Sequence, residues 1–82
     1  MIWICVDFVE MSRSYDFKVD ETVPVRQVTE EMVEMIAQLE HVSLQKETGL
    51  FLLCSAPDAN ILNPLASLAE NGVRSADTLL LV

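Results

Sequence analysis

Alternating apolar and polar residues begin the chain. Residues 2–9 are rich in β-branched and aromatic side chains, and Asp7 marks the face that we expect to meet water. This period-2 pattern predicts a strand with Trp3, Cys5 and Val9 on the Asp7 face and with inward Ile2, Ile4, Val6 and Phe8. A second alternation over residues 15–19, with Tyr15, Phe17 and Val19 inward, follows a polar turn. The two segments therefore predict a hairpin.

A helical repeat replaces the alternation after the hairpin. Pro24 suits a first helical turn because its missing N–H has no partner there, and the Thr22 side chain can accept a hydrogen bond from a free amide. We predict one helix from Pro24 to Glu40 or His41. Its core-facing side follows three- and four-residue intervals, at Val25, Val28, Met32, Met35, Ile36 and Leu39. The opposite, solvated side carries Glu30, Glu31 and Glu34.

Shorter apolar runs occupy the C-terminal half. Residues 50–54 predict a strand with leucine on both faces, and Ile61 with Leu62 predicts a very short one. Residues 65–70 can form one helical turn, which Asn71 and Gly72 would end. Residues 77–82 predict the last strand. The element order is therefore ββαββ, a turn and a final β.

This order predicts an α+β fold in which one helix packs on one face of a mixed sheet. The final strand is apolar on both faces, which suits a central position beside the first strand and parallel to it. That arrangement is the β-grasp. Its core should contain Ile4, Val6, Phe17, Val28, Met32, Leu68 and Leu80.

Length and composition narrow the class of protein. The chain has 82 residues, 51% of them hydrophobic, and a mean hydropathy of +0.33. We expect one small domain over residues 1–82, because a disordered chain would be far less hydrophobic. The apolar runs are much shorter than the ~20 residues of a membrane span, and no basic segment precedes an apolar one as in a signal peptide. We therefore expect a cytoplasmic protein.

Charge argues against a nucleic-acid partner. The net charge is −8, with thirteen acidic and five basic residues. An acidic surface repels the phosphates of nucleic acids and of anionic lipids, so a basic protein is the partner that fits. The alternative is that the charge only keeps an apolar small protein soluble.

Residues suited to catalysis are few. Cys5 and Cys54 lack CxxC spacing, and His41 is the only histidine. One cysteine with His41 is the only conceivable nucleophile and base, and an unreactive apolar cysteine is the stronger interpretation. A disulfide is excluded because the final strand would separate the first strand from the third. The helix glutamates predict a solvated surface, so we expect no enzyme activity, cofactor or metal.

Residue spacing over nearly the whole chain resembles that of ubiquitin-like proteins. Val19 precedes Val25 by six residues, and Leu62 precedes Leu68 by six. Residues 67–73 resemble the leucine–acid–isoleucine loop of ubiquitin, and DTLLLV at residues 77–82 resembles its closing strand. More narrowly, LASLAENGVRSADTLLLV is similar to the YukD-like ubiquitin-related family. The resemblance implies a ubiquitin-like β-grasp fold and a small cytoplasmic protein encoded with the type VII (WXG-type) secretion apparatus of low-GC Gram-positive bacteria.

Conjugation is not implied by this resemblance. Modifiers and sulfur carriers end in a flexible Gly-Gly whose carboxylate reaches an activating enzyme, whereas this sequence ends in Leu81 and Val82. With this terminus we expect no C-terminal adenylate. Two alternatives stay open. One is a sulfur carrier or modifier whose native gene extends to Gly-Gly, and the other is a small subunit of a multicomponent enzyme.

Surplus hydrophobicity predicts a protein-binding surface. The helix covers one face of the sheet, yet Trp3 and Cys5 lie on the other. The third strand adds either Phe51 and Leu53 or, in the other register, Leu50 and Leu52. We expect Trp3, Cys5, Phe51 and Leu53 to bind the cytoplasmic part of a membrane secretion component, with weak self-association as a second use. A loop folded over this face is the alternative.

Overall fold

Two strands, a helix and two further strands follow one another in the computed structural model, which describes residues 1–44, 51–56 and 58–82. β1 (Ile2–Phe8) and β2 (Arg13–Val19) form an antiparallel hairpin, joined by a 3₁₀ turn at Val9–Met11. The helix α1 (Val25–Glu40) follows, and then β3 (Leu53–Ser55) and β4 (Thr78–Leu81). Within the described ranges, no helix has the length and hydrophobicity of a membrane span.

The final strand lies inside the sheet, as the sequence predicts. The strand order is β2-β1-β4-β3, with β4 parallel to β1 and antiparallel to β3. The third strand differs from the prediction because it is three residues long and starts at Leu53, while Leu50 lies outside the described residues. The predicted short strand at Ile61 and Leu62 is a single antiparallel bridge between Ile61 and Cys54.

Side chains from α1 and one sheet face form the core. Six of the predicted core residues are buried, and Leu80 is the exception. Leu80 is half-buried, whereas Leu79 and Leu81 are 1% and 0% exposed. The parallel register explains this, because it sets Leu79 beside Val6 and Leu81 beside Phe8, and so leaves Leu80 on the Asp7 side of the sheet.

The helix has the predicted extent but not the predicted cap. The Thr22 hydroxyl donates to Asp20 Oδ1 at 2.6 Å and does not bond the helix. The first amides of α1 donate instead to a distant loop: Val25 N–H to the carbonyl of Ala66 at 2.9 Å, and Arg26 N–H to that of Pro64 at 3.0 Å. Tertiary contacts therefore satisfy groups that a local side chain usually caps.

Two residues of the predicted helical stripe are exposed. The buried apolar residues of the stripe are Val25, Val28, Met32 and Ile36, whereas Met35 and Leu39 face solvent. Met35 lies at the margin of the stripe, whereas Leu39 lies within it but in the last turn of α1, which ends at Glu40.

Side-chain hydrogen bonds shape the segment where the sequence predicts a helical turn. Ser67 and Glu70 bond reciprocally: Ser67 N–H donates to Glu70 Oε1 at 2.9 Å, and Glu70 N–H donates to Ser67 Oγ at 3.0 Å. The side-chain amide of Asn71 donates to the backbone carbonyls of Asn63 and Ser67 at 3.1 and 2.8 Å. The chain forms turns rather than a helix here and places Leu68 in the core.

The Glu70 carboxylate makes the stability of the fold depend on pH. Hydrogen bonding by the amide and hydroxyl of Ser67 holds the pKa of Glu70 below its ordinary value. Such a carboxylate stabilises the fold above its unfolded pKa, and the contribution disappears as the pH falls through the folded pKa. We expect Glu70→Gln to be less stable than the parent near pH 7, with the gap closing below about pH 4. Urea unfolding across this range measures it.

The matched control for that measurement is Glu34→Gln, which neutralises an exposed carboxylate on α1. It should change the free energy of unfolding little, because substitutions at exposed positions have small effects. A gap between Glu70→Gln and the parent that stays constant from pH 7 to pH 3 would contradict the assignment, because a lost packing contact would not titrate.

Candidate functional site

Trp3 is the large aromatic side chain on the sheet face that α1 leaves uncovered. It is 54% exposed, while its neighbours Ile4, Val6 and Phe8 are buried, which confirms the predicted phase of β1. We call this surface the open face. From the strand registers its exposed or half-buried residues are Trp3, Cys5, Asp7, Ser14, Asp16, Lys18, Thr78 and Leu80, and Cys54, which pairs with Leu80, lies on the same side but is buried.

Charged side chains surround the tryptophan on the open face. Lys18 lies directly across from Trp3 on the neighbouring strand, and Asp16 lies across from Cys5. A shallow depression of about 470 Å³ is lined by Trp3, Cys5, Asp16 and Ala76, together with Ile4. The backbone of Trp3 is held at this position, because its carbonyl accepts from Ala76 N–H at 2.7 Å. The open face thus combines a fixed aromatic residue with a polar, mainly acidic surround.

The predicted binding residues divide between two sides of the sheet. Trp3 and Cys5 lie together on the open face, whereas Leu53 is 2% exposed and belongs to the core. Leu53 pairs with buried Leu81, so it faces α1. Phe51 packs against the core, and its ring meets that of Phe8 edge-on with centroids 5.7 Å apart. The expectation that Phe51 and Leu53 join Trp3 on an exposed face is therefore wrong in its geometry.

Leu80 is the apolar residue of the open face that the sequence does not identify. It adjoins Asp7 on β1 and Cys54 on β3, and it is half-buried. The three consecutive leucines at residues 79–81 do not alternate with polar residues, so the sequence does not show which of them face the core. The pairing of β4 with β1 could have indicated it, because Val6 and Phe8 would then require leucines on the same side.

The Cys5 thiol is a poor nucleophile in this setting. Partial burial raises its pKa first, and the nearby carboxylates of Asp16 and Asp7 raise it further. Negative neighbours and desolvation both disfavour a thiolate, which is the reactive form of cysteine. Cys5 therefore remains a neutral, weakly polar contact beside Trp3.

The other candidate groups for chemistry do not assemble around Cys5. Cys54 is buried on β3, and β4 lies between it and β1. His41 is exposed and ends α1 in a left-handed conformation at φ 54°. Glu30, Glu31 and Glu34 lie exposed along the helix. In the part of the chain that the structure describes, no three His, Cys, Asp or Glu side chains converge as metal ligands would.

A larger concave region of about 970 Å³ lies on the other side of the sheet, beside α1. Its described lining joins Val33 and Ala37 of the helix to Phe51 and Leu53. This side of α1 therefore faces β3. Leu44 and Phe51 both line the region, and the residues that connect them lie outside the described ranges.

Solved structures of secretion proteins share this architecture. The ubiquitin-like domain of the Mycobacterium tuberculosis type VII secretion protein EccD1 is 19% identical, with a TM-score of 0.73, over 100% of this chain and 99% of that one. The EccD5 ubiquitin-like domain from Mycobacterium xenopi is also 19% identical, with a TM-score of 0.73, over 99% and 91%. A MycP5-free ESX-5 inner membrane complex matches with a TM-score of 0.78 and 20% identity, and this chain spans 20% of the matched chain.

An oxygenase structure also shares the fold. A toluene 4-monooxygenase HD complex with the inhibitor 4-bromobenzoate matches with a TM-score of 0.82 and 15% identity, over 99% of this chain and 95% of that one. No family model and no curated protein matches the sequence. At these identities the likeness concerns backbone architecture, and the strand order, the single packed helix and the central parallel strand agree with it. The chain therefore has the ubiquitin-like β-grasp fold.

Proposed function

We propose that this chain is a non-catalytic, YukD-like interaction module that binds the cytoplasmic part of a membrane component of a type VII (WXG-type) secretion system. The single observation that carries the proposal is Trp3, an aromatic side chain 54% exposed on a sheet face that α1 does not cover. The likeness to EccD ubiquitin-like domains and to a chain of the ESX-5 inner membrane complex supports the choice of system.

The energetics of association favour Trp3 as the anchor of the open face. Burying an aromatic side chain removes about 150–250 Å² from water, and tryptophan is enriched among residues that dominate interface energies. The strand backbone already holds Trp3 in place, so binding does not have to order the main chain at this position.

Charge defines the partner's chemistry. Asp7 and Asp16 flank Cys5 on the open face, and the whole chain has a net charge of −8. A partner surface with an apolar pocket and a basic rim is complementary to this arrangement. Such complementarity speeds encounter at low salt more than it tightens the final complex.

We expect Trp3→Ala to weaken binding to the partner by about 30-fold or more, the size typical of a central aromatic residue. The control is Val9→Ala, because Val9 is also 54% exposed but lies beyond β1, in the 3₁₀ turn. Calorimetric titration with the cytoplasmic domains of the secretion system's membrane proteins measures both. Thermal unfolding should show that both variants stay folded. Partner binding by Trp3→Ala at parent strength would refute the open face as the site.

A small subunit of a multicomponent enzyme is the second candidate function. The TM-score of 0.82 with a chain of the toluene 4-monooxygenase complex favours it. Affinity purification of the tagged chain from its native host separates the two proposals. Recovery of secretion membrane proteins supports the first, and recovery of oxygenase subunits in fixed stoichiometry supports the second.

A further inference from the structure

The two edges of the sheet differ in how their backbone groups are used. The outer edge of β3 is engaged, because Ser55 N–H donates to the carbonyl of Asn60 and Leu62 N–H donates to that of Leu53, each at 2.9 Å. Among residues 1–44, 51–56 and 58–82, no backbone group pairs with the outer edge of β2. An edge strand of seven residues is a template for pairing with another strand.

The hydrogen bonds of β1 reveal which backbone groups of β2 point outward. Cys5 N–H donates to Asp77 at 2.9 Å and the Trp3 carbonyl accepts from Ala76 at 2.7 Å, so both residues bond toward β4. Backbone groups alternate in direction along a strand, and therefore Ile4 and Val6 bond toward β2. Their partners on β2, Phe17 and Tyr15, therefore direct their own N–H and C=O groups toward β1. The N–H and C=O groups left pointing away from the sheet are those of Ser14, Asp16 and Lys18.

The side chains at these outward positions are exposed, and two of them carry opposite charges. Asp16 and Lys18 are two residues apart, and so they lie on the same face of β2. We propose that two copies of this chain associate by antiparallel pairing of their β2 strands, with Asp16 of each copy opposite Lys18 of the other.

The register of this pairing follows from charge and hydrogen bonding together. A two-fold axis beside Phe17 sets Asp16 opposite the second Lys18 and Lys18 opposite the second Asp16. Both positions have outward backbone groups, so each pair exchanges two main-chain bonds as well as an ion pair. A two-fold axis beside Asp16 would place the two copies of Asp16 opposite each other, and an axis beside Lys18 would do the same with the two copies of Lys18. The Phe17-centred register is the one of these three that brings opposite charges together.

A second copy is the occupant that fits, because a two-fold interface requires a self-complementary surface. The Asp16 and Lys18 pair is self-complementary in the antiparallel sense, whereas a foreign strand would need a separately matched sequence. The net charge of −8 on each copy opposes association, so the dimer is weak. This pairing does not depend on the partner proposed for the open face.

Charge reversal tests the register directly. At an ionic strength near 0.15 M, where the screening length is about 8 Å, the remote repulsion between copies is damped more than the adjacent pairs. In a dimer of Asp16→Lys, both cross-strand pairs between residues 16 and 18 become lysine opposite lysine. In a dimer of Lys18→Asp, both pairs become aspartate opposite aspartate. We expect each variant to dimerise at least about tenfold more weakly than the parent in analytical ultracentrifugation. An equimolar mixture of the two variants restores both opposite-charge pairs, so it should form a heterodimer.

The controls change net charge without touching the β2 edge. Glu31→Lys and Arg26→Glu lie on α1 and alter the charge by the same amounts as the two edge variants. They should dimerise as the parent does, and native mass spectrometry should show the heterodimer only in the mixture of edge variants. A parent chain that stays monomeric up to about 1 mM overturns the proposal. Single edge variants that dimerise normally, or a mixture that stays monomeric, overturn it as well.

Discussion

Replacing Phe17 with alanine should lower the free energy of unfolding by about 3–5 kcal/mol. Phe17 is 7% exposed and lies on the core face of β2, where its ring stacks on that of Tyr15 with centroids 6.1 Å apart. Removing the ring leaves a cavity that a rigid two-layer fold fills only in part. Small domains have total stabilities of about 5–15 kcal/mol, so this variant should populate unfolded molecules readily.

Trp3→Ala is the matched control for Phe17→Ala. It removes a larger aromatic ring from the adjacent strand, yet from the open face rather than the core. Urea unfolding of the two variants should therefore separate burial from side-chain size. A loss under about 1 kcal/mol for Phe17→Ala would remove Phe17 from the core.

Leu81→Ala should destabilise the protein by about 2–5 kcal/mol, and Leu80→Ala by about 1 kcal/mol. Both residues belong to β4, and they differ in the face that they occupy: Leu81 is fully buried beside Phe8, and Leu80 is half-buried beside Asp7. The two substitutions delete the same atoms from adjacent positions. Chemical denaturation of the pair thus measures the phase of the strand, and equal losses would contradict the register.

Alternation with a charged marker made β1 predictable. Asp7 interrupts an otherwise apolar segment, so its position assigns every neighbour to a face, and the structure agrees at Trp3 and Ile4. The helix was similarly predictable, because the spacing of Val25, Val28, Met32 and Ile36 matches the helical period. All four residues lie in the core, as that spacing predicts.

Uniform leucine runs did not reveal their faces. A leucine at 79, 80 or 81 is chemically the same residue, so only the pairing partners on β1 decide which two enter the core. Leu53 followed the same rule, because its pairing with Leu81 turned it away from the open face on which we expected it. The candidate site consequently keeps Trp3 and Cys5, loses Leu53 and Phe51, and gains Leu80.

The sequence by itself determined the α+β class, the central place of the last strand and the exposure of Trp3. These features follow from periodicity and from charge, which act over a few neighbouring residues. Tertiary structure alone decided the phase of β4, the caps of α1 by the carbonyls of Pro64 and Ala66, and, among the described residues, the unpaired outer edge of β2. Each of these depends on contacts between segments far apart in the chain, and such contacts satisfy backbone groups and choose faces that no local pattern encodes.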